Sequence, residues 1–183
     1  MRGKREILED YLVTSARLGD RDAIARLAAL RGPGLVRHAY RLLGNREDAH
    51  DAAQDAWIEI MHGLPGLRDV RAFRAWAYRI VTRRAVRLIS AGKSRRTREA
   101  EAAIENDTVT DGQGPMAADA RAIHRAIETL PPNHAAAISL FYFDEMSIAE
   151  IAVALDVAPG TIKTRLMHAR TKLTNALKGD LDD

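Results

Sequence analysis

Residues 147 to 173, SIAEIAVALDVAPGTIKTRLMHARTKL, constrain the chain more than any other stretch, because they specify two helices and the corner between them. Ser147 and Glu150 form a capping box, in which hydroxyl and carboxylate each satisfy a backbone N–H that a first helical turn leaves free. Ile148, Ile151, Ala152 and Leu155 fall on one face of the first helix. Ile162, Leu166, Ala169 and Leu173 repeat that spacing in the second, so each helix can bury a stripe against the other. Asp156 to Gly160 make the corner, with Pro159 suited to a first helical turn. Thr161, Lys163, Thr164, Arg165, His168, Arg170 and Lys172 are left for solvent or for a groove. This is the layout of a helix-turn-helix, whose second helix enters the DNA major groove, reads base edges from its N-terminal residues and grips phosphate further along. Thr161, Thr164 and Arg165 are the expected readers, and Lys163, Arg170 and Lys172 the expected anchors. The competing reading is an amphipathic hairpin with a solvated basic face.

Elsewhere strand signals are scarce, and Ala, Leu, Arg and Glu recur at spacings of three and four, so an all-α fold is expected. One helical block runs from about Asp20 to Ser90, with Gly, Pro and Asn punctuation near Arg31–Gly34, Gly44–Asn45 and Gly63–Asp69 that divides it into about four helices. Residues 93–116, KSRRTREAEAAIENDTVTDGQGPM, hold few apolar groups, switch from basic to acidic and end in DGQGP, which marks a polar linker. A second block follows, with Leu130, Pro131 and Pro132 stopping one helix before the apolar Ala135–Phe143 segment. The expected organisation is therefore two small helical domains, residues 1–92 and 117–183, joined by residues 93–116.

The formal charge of +3 is modest, but its placement is uneven. Cations cluster at 79–98 and 163–172, and acids at 47–59, 99–111 and the GDLDD tail, as expected of DNA on one surface and a basic protein partner on another. Absence of cysteine excludes disulfides and thiolate metal sites and gives no sign of an oxidising compartment. The longest apolar stretch falls far short of the roughly 18 residues of a membrane span. The N-terminus turns acidic before any signal-peptide core appears. A cytoplasmic protein that does not enter the membrane is expected.

Within the first block, NREDAHDAAQDAWIEIM should be one helix with Ala49, Ala52, Ala53, Ala56, Trp57 and Ile60 inward. Asp48, Asp51 and Asp55 then line one outer face, with Gln54 and Glu59 beside them. Such a row of carboxylates is a solvated face, a dock for a basic protein, or, with His50, a divalent metal site. The next helix carries Phe73, Trp76 and Tyr78, followed by Arg79, Arg83, Arg84 and Arg87. Aromatics beside arginines suit unstacked single-stranded DNA. Phe73 and Trp76 share a face with Ile80, however, and read more readily as core. The four arginines have no acidic neighbour in sequence, which a bland surface does not explain.

Taken together, these motifs resemble the extracytoplasmic-function group of bacterial sigma factors, the promoter-recognition subunits of RNA polymerase. DAHDAAQDAWIEI is similar to the family's acidic polymerase-docking helix. FRAWAYRIV from Phe73 is similar to its signature of the form FRAWLYRIA, and Leu130–Pro131, SIAEIA from Ser147 and GTIKTRLMHAR from Gly160 to its C-terminal signature. The resemblance implies that Asp48, Asp51, Gln54 and Asp55 dock on core polymerase. It implies that the Gly63–Arg71 loop and the helix carrying Arg79, Arg83, Arg84 and Arg87 meet the minus-ten strand, and that Thr161, Lys163, Thr164, Arg165, His168 and Arg170 meet the minus-thirty-five duplex. It further implies an anti-sigma partner and no catalytic residue or cofactor of the chain's own. Arg83 and Arg87 stand where the family often has Asn and Asp. Met167, His168 and Thr171 replace the usual His, Arg and Arg, and Asp156 replaces a frequent turn glycine.

The 24 residues of the linker can reach at most roughly 80 Å, enough for promoter elements two DNA turns, or roughly 70 Å, apart. A free linker of that length averages about 27 Å, so a chain that is compact alone and opens on polymerase is expected. The rival readings are a sigma-like decoy for an anti-sigma factor, a stand-alone helix-turn-helix regulator, and a metal-dependent helical hydrolase built on Asp48, His50, Asp51 and Asp55.

Overall fold

The structure, a computed structural model, describes residues 3–99 and 115–179. Eight α-helices are present there: α1 Lys4–Arg17, α2 Arg21–Leu43, α3 Arg46–Gly63, α4 Phe73–Glu99, α5 Pro115–Glu128, α6 Pro132–Tyr142, α7 Ile148–Leu155 and α8 Pro159–Gly179. Single 3-10 turns at Leu64–Gly66 and Val70–Ala72 carry the chain from α3 to α4. No strand occurs among the described residues, in agreement with the all-α expectation.

Local chemistry places the helix ends. Asp20 caps α2 by accepting from the N–H groups of Asp22 and Ala23 at 2.9 and 3.1 Å, and Asn45 caps α3 through the Asp48 N–H at 3.1 Å. Gly44 closes α2 in the left-handed region (φ 71°), where a side chain would also collide with Glu128. Pro131 precedes α6 with Pro132 as its first residue, as the sequence predicts.

Three expectations need correction. Arg31–Gly34 does not break α2, which runs through Pro33. The proline removes one backbone hydrogen bond, and burial of Leu27 on one side and Leu35, Ala39 and Leu42 on the other holds the helix across the gap. Gly34 instead provides close approach, since a Cβ there would lie 2.9 Å from the Tyr78 hydroxyl. Residues 20–90 therefore form three long helices rather than four. Finally, α4 continues to Glu99 and α5 begins at Pro115, so both ends of the expected 93–116 linker are helical, while residues 100–114 lie outside the described residues. Helix α1, which no sequence pattern announces, buries Leu12, Val13 and Ala16 and fastens Glu9 to Arg31 of α2 through a forked ion pair.

In the first half α2 packs on α1, α3 and α4, and in the second α8 packs on α5, α6 and α7. The halves close on each other: α7 lies against α4, and α5 and α6 lie against α2. One apolar core runs through both, from Leu12, Leu27 and Phe73 to Ile127, Leu140, Ile151 and Leu166.

Candidate nucleic-acid interface

In the second half, Ser147 Oγ accepts from the Glu150 N–H at 3.2 Å and the Glu150 carboxylate accepts from the Ser147 N–H at 2.8 Å, completing the capping box at the start of α7. Asp156 turns the corner in the left-handed conformation (φ 55°, ψ 49°) that the family's glycine would adopt freely. Ile162, Leu166 and Ala169 of α8 are buried. That leaves Thr161, Lys163, Thr164, His168 and Arg170 exposed along one side, with Arg165 half-buried among them.

Two further residues join this face without any sequence signal. His134 of α6 stacks on His168 with ring centroids 6.3 Å apart. Burial, then the charges of Arg165, His168 and Lys172, hold its imidazole below the ordinary histidine value. Tyr142 accepts from Arg170 Nε at 2.8 Å, and the Arg170 guanidinium lies over the Phe141 and Tyr142 rings at 5.5 and 5.6 Å. This cation, midway along α8, is thereby fixed in direction rather than left to sweep through solvent.

In the first half, Phe73 is fully buried and Trp76 packs beside it, both part of the core as their spacing predicts. Tyr78, the third candidate for base stacking, is buried too and bonds across the molecule to Asp144. Of the three rings Phe73 and Tyr78 are buried and Trp76 is half-buried. The arginines themselves are not free of acids, contrary to the sequence reading. Arg83 pairs with Glu59, Arg84 bonds Asp55 at 2.9 Å and Glu59 at 3.1 Å, and Arg79 bonds Asp156 of the second half at 2.6 Å. Burial nudges the Glu59 carboxyl upward, and hydrogen bonds and charge from Arg83 and Arg84 outweigh it, so it stays below the usual carboxylate range. Among the described residues Arg71 and Arg87 remain exposed without an acidic partner.

Asp48, Asp51, Gln54 and Asp55 are exposed in a row along α3, above a buried floor of Ala49, Ala52, Ala53 and Ala56. Among the described residues no group of three or more His, Asp or Glu side chains is placed to hold a metal ion. Nor is any helix there long and apolar enough to cross a membrane.

Residues 27–96 match the family model described as Sigma-70 region 2, and residues 120–173 match the model described as Sigma-70, region 4. The ECF RNA polymerase sigma factor SigW of Bacillus subtilis is 30% identical over 184 residues, an alignment covering 94% of this chain and 98% of that one. The chain belongs to the ECF sigma factors. SigM of Mycobacterium tuberculosis, also an ECF RNA polymerase sigma factor, is 30% identical over 96% of this chain and 87% of its own. The fold of this sigma factor is shared with CnrH, solved in complex with the cytosolic domain of CnrY. That match has a TM-score of 0.74 at 22% identity and covers 94% of this chain and 99% of CnrH. It is shared equally with the sigma factor RpoE of Bartonella quintana, solved with the anti-sigma factor NepR, at a TM-score of 0.70, 22% identity and coverage of 84% and 96%.

As a sigma factor the protein acts with RNA polymerase in promoter-directed transcription initiation, and α7 and α8 are its region 4 helix-turn-helix.

Proposed function

We propose that the two halves divide the work of initiation. The outer row of α3, Asp48, Asp51, Gln54 and Asp55, docks on a basic surface of core polymerase. The loop before α4 with Arg71, and α4 with Arg79, Arg83, Arg84 and Arg87, hold the separated minus-ten strand. On α8, Thr161, Thr164 and Arg165 read the minus-thirty-five element, while Lys163, His168 and Arg170 grip its backbone. The chain supplies no catalytic chemistry and works in the cytoplasm, where polymerase performs the phosphoryl transfer.

The observation that carries this reading is the segregation of exposed charge. Acids line the outer side of α3 and cations that of α4 and α8, each above a buried apolar face, and where α3 meets α4 the two sets pair through Asp55, Glu59, Arg83 and Arg84. Lys163 and Arg170 carry charge that phosphate contacts need and that packing does not. A regulatory anti-sigma protein is a further expected partner; of the proteins that share the fold, the sigma factor RpoE was solved with the anti-sigma factor NepR, and CnrH with the cytosolic domain of CnrY.

The closed arrangement must open for this to work. Arg79 is occupied by Asp156 at the helix-turn-helix corner, so a minus-ten surface and a minus-thirty-five surface that share an ion pair cannot lie on elements roughly 70 Å apart. Polymerase is the partner expected to separate them.

Run-off transcription with core polymerase on genomic promoter fragments tests the assignment. Wild-type protein should direct specific starts, Asp51→Ala with Asp55→Ala should lose polymerase binding, and Arg83→Ala with Arg84→Ala should lose promoter opening while still binding polymerase. A chain that binds an anti-sigma factor but never supports a specific start would instead be a decoy.

A further inference from the structure

Asp144, in the turn between α6 and α7, is an acidic side chain of the second half buried against the first. Its carboxylate accepts from the Tyr78 hydroxyl at 2.7 Å and from Arg41 Nη1 at 3.0 Å, and lies 3.5 Å from His38 Nδ1. Arg74 donates to its backbone carbonyl. His38 is itself held from behind by Thr82 Oγ1, 2.8 Å from Nε2, and Arg41 Nη1 also bonds Ser139 Oγ at 2.9 Å. The Phe143 ring covers the Arg41 guanidinium at 4.4 Å. Apart from Ser139 and Phe143, every one of these groups belongs to α2 or α4. The first half therefore carries a ready-made receptor for one carboxylate, and the second half fills it.

The backbone supports the same reading. Glu145, beside Asp144, sits in the left-handed region at φ 50°, a conformation that a residue with a Cβ adopts at a cost. The turn is fixed by the Asp144 N–H on the Ser139 carbonyl and the Met146 N–H on the Leu140 carbonyl, at 3.3 and 3.0 Å. A left-handed residue with a bond from the next N–H back to the last helical turn is a common way to end a helix, and here that ending places Asp144 against the first half.

Magnitudes separate this contact from its neighbours. Two other ion pairs between the halves are open to water, with Arg79 and Asp156 at 41% and 70% exposure and Arg74 and Glu150 at 23% and 39%. Pairs of that kind contribute little. The Asp144 side chain is 6% exposed and His38 is fully buried, and removing one member of a buried charged cluster is strongly destabilising because its partners are left without a counterpart.

We propose that His38, Arg41 and Tyr78 form a carboxylate-binding socket in the first half, with Arg74 holding the backbone beside it, that Asp144 is its resident ligand, and that occupancy of the socket sets whether the halves stand closed or apart. The proposal rests on the reading that a closed chain must open to bind a promoter. It makes Asp144 a regulatory residue of a protein whose DNA-facing residues lie elsewhere. A partner that opens the chain has to withdraw this one carboxylate from its donors.

Small-angle scattering on the full chain without polymerase tests it. A closed chain of this length has a radius of gyration of about 16 Å. Asp144→Asn, nearly isosteric but uncharged, should raise that radius by several ångström at unchanged helical circular dichroism. Tyr78→Phe, which removes only the hydroxyl, should shift it in the same direction, and Asp156→Asn should leave it at the wild-type value. Should Asp144→Asn lose its helical signal, Tyr78→Phe decides alone. Unchanged radii for both socket variants, or an Asp156→Asn chain that expands as far as they do, would overturn the proposal. Because polymerase is absent from this measurement, its result is independent of the transcription assay.

Discussion

The guanidinium of Arg84 lies 2.9 Å from the carboxylate of Asp55, tying the helix proposed to hold promoter DNA to the helix proposed to hold polymerase. Glu59 widens the tie by bonding both Arg83 and Arg84. Acidic and basic surfaces that the sequence presents as separate are thus partly neutralised against each other across α3 and α4. DNA phosphate arriving at α4 must compete with these carboxylates, and a basic polymerase surface arriving at α3 competes with the same arginines.

Glu59→Gln should therefore raise the affinity of the assembled holoenzyme for a single-stranded minus-ten oligonucleotide. An exposed pair is worth about 0.2 to 1 kcal/mol, so the gain should be at most about fivefold. Arg84→Ala should act in the opposite direction and lower the salt slope of binding by about 0.7, the share of a single phosphate that the variant no longer neutralises. Fluorescence anisotropy across a salt series measures both. Weaker binding by Glu59→Gln would show that Glu59 orients the arginines instead of competing for them.

What the sequence discloses and what it hides follow one physical distinction. The capping box of Ser147 and Glu150, the inward alanines of α3 and the Pro131–Pro132 boundary are local, and each leaves a signature within a few residues. Helix α1 has no clear signature because its buried Leu12, Val13 and Ala16 share the segment with exposed Ile7 and Tyr11, which blurs the period. Pro33 reads as a break because propensity is local while the core that holds α2 together is not. The acids that meet Arg79, Arg83 and Arg84, and the donors that surround Asp144, come from distant parts of the chain, and no window of sequence contains both partners. The same holds for His134 and Tyr142 beside α8. Tyr78 reads as a stacking ring in the sequence only because its partner, Asp144, lies 66 positions away.

Ser147→Ala removes the hydroxyl of the α7 cap and leaves the Glu150 N–H without it. Loss of such a cap costs about 1 kcal/mol, which for a chain of this size lowers the melting temperature by about 2 to 4 °C. Ser147→Thr keeps an oxygen in place and should retain most of the stability. Thermal unfolding followed by circular dichroism distinguishes them, and equal melting points for wild type and the alanine variant would mean that packing of Ile151 and Ala152 alone holds α7.

Arg165 is half-buried beside His134, whereas Lys163 is exposed. If Arg165 makes a bidentate base contact, Arg165→Ala should cost about 1 to 3 kcal/mol on the preferred upstream element and relax discrimination there. Lys163→Ala should weaken all sequences alike and reduce the salt slope by about 1. Competition binding of holoenzyme to promoter variants reads both effects, and a uniform loss for Arg165→Ala would make it a phosphate anchor.

Acid should loosen the protein, and the sign follows from the seam. Burial holds the His38 imidazole below its ordinary value of 6.5; Asp144 opposes that shift and Arg41 reinforces it. An unfolded chain therefore takes up this proton first as the pH drops, and stability falls from about pH 6.5 downward until the folded imidazole is protonated as well. Burial alone would raise the Asp144 carboxyl, but His38, Arg41 and Tyr78 outweigh it and hold it below its ordinary value of 3.8. Its contribution is complete above that value and is lost as the pH falls through the lower folded one. His134, also held low, adds in the same direction as His38. Melting temperature should decline steadily between about pH 7 and pH 5, and His38→Gln, which keeps a donor and an acceptor but cannot titrate, should flatten part of that decline. A melting temperature that stays level or climbs over this interval would place the seam's proton uptake elsewhere than at His38.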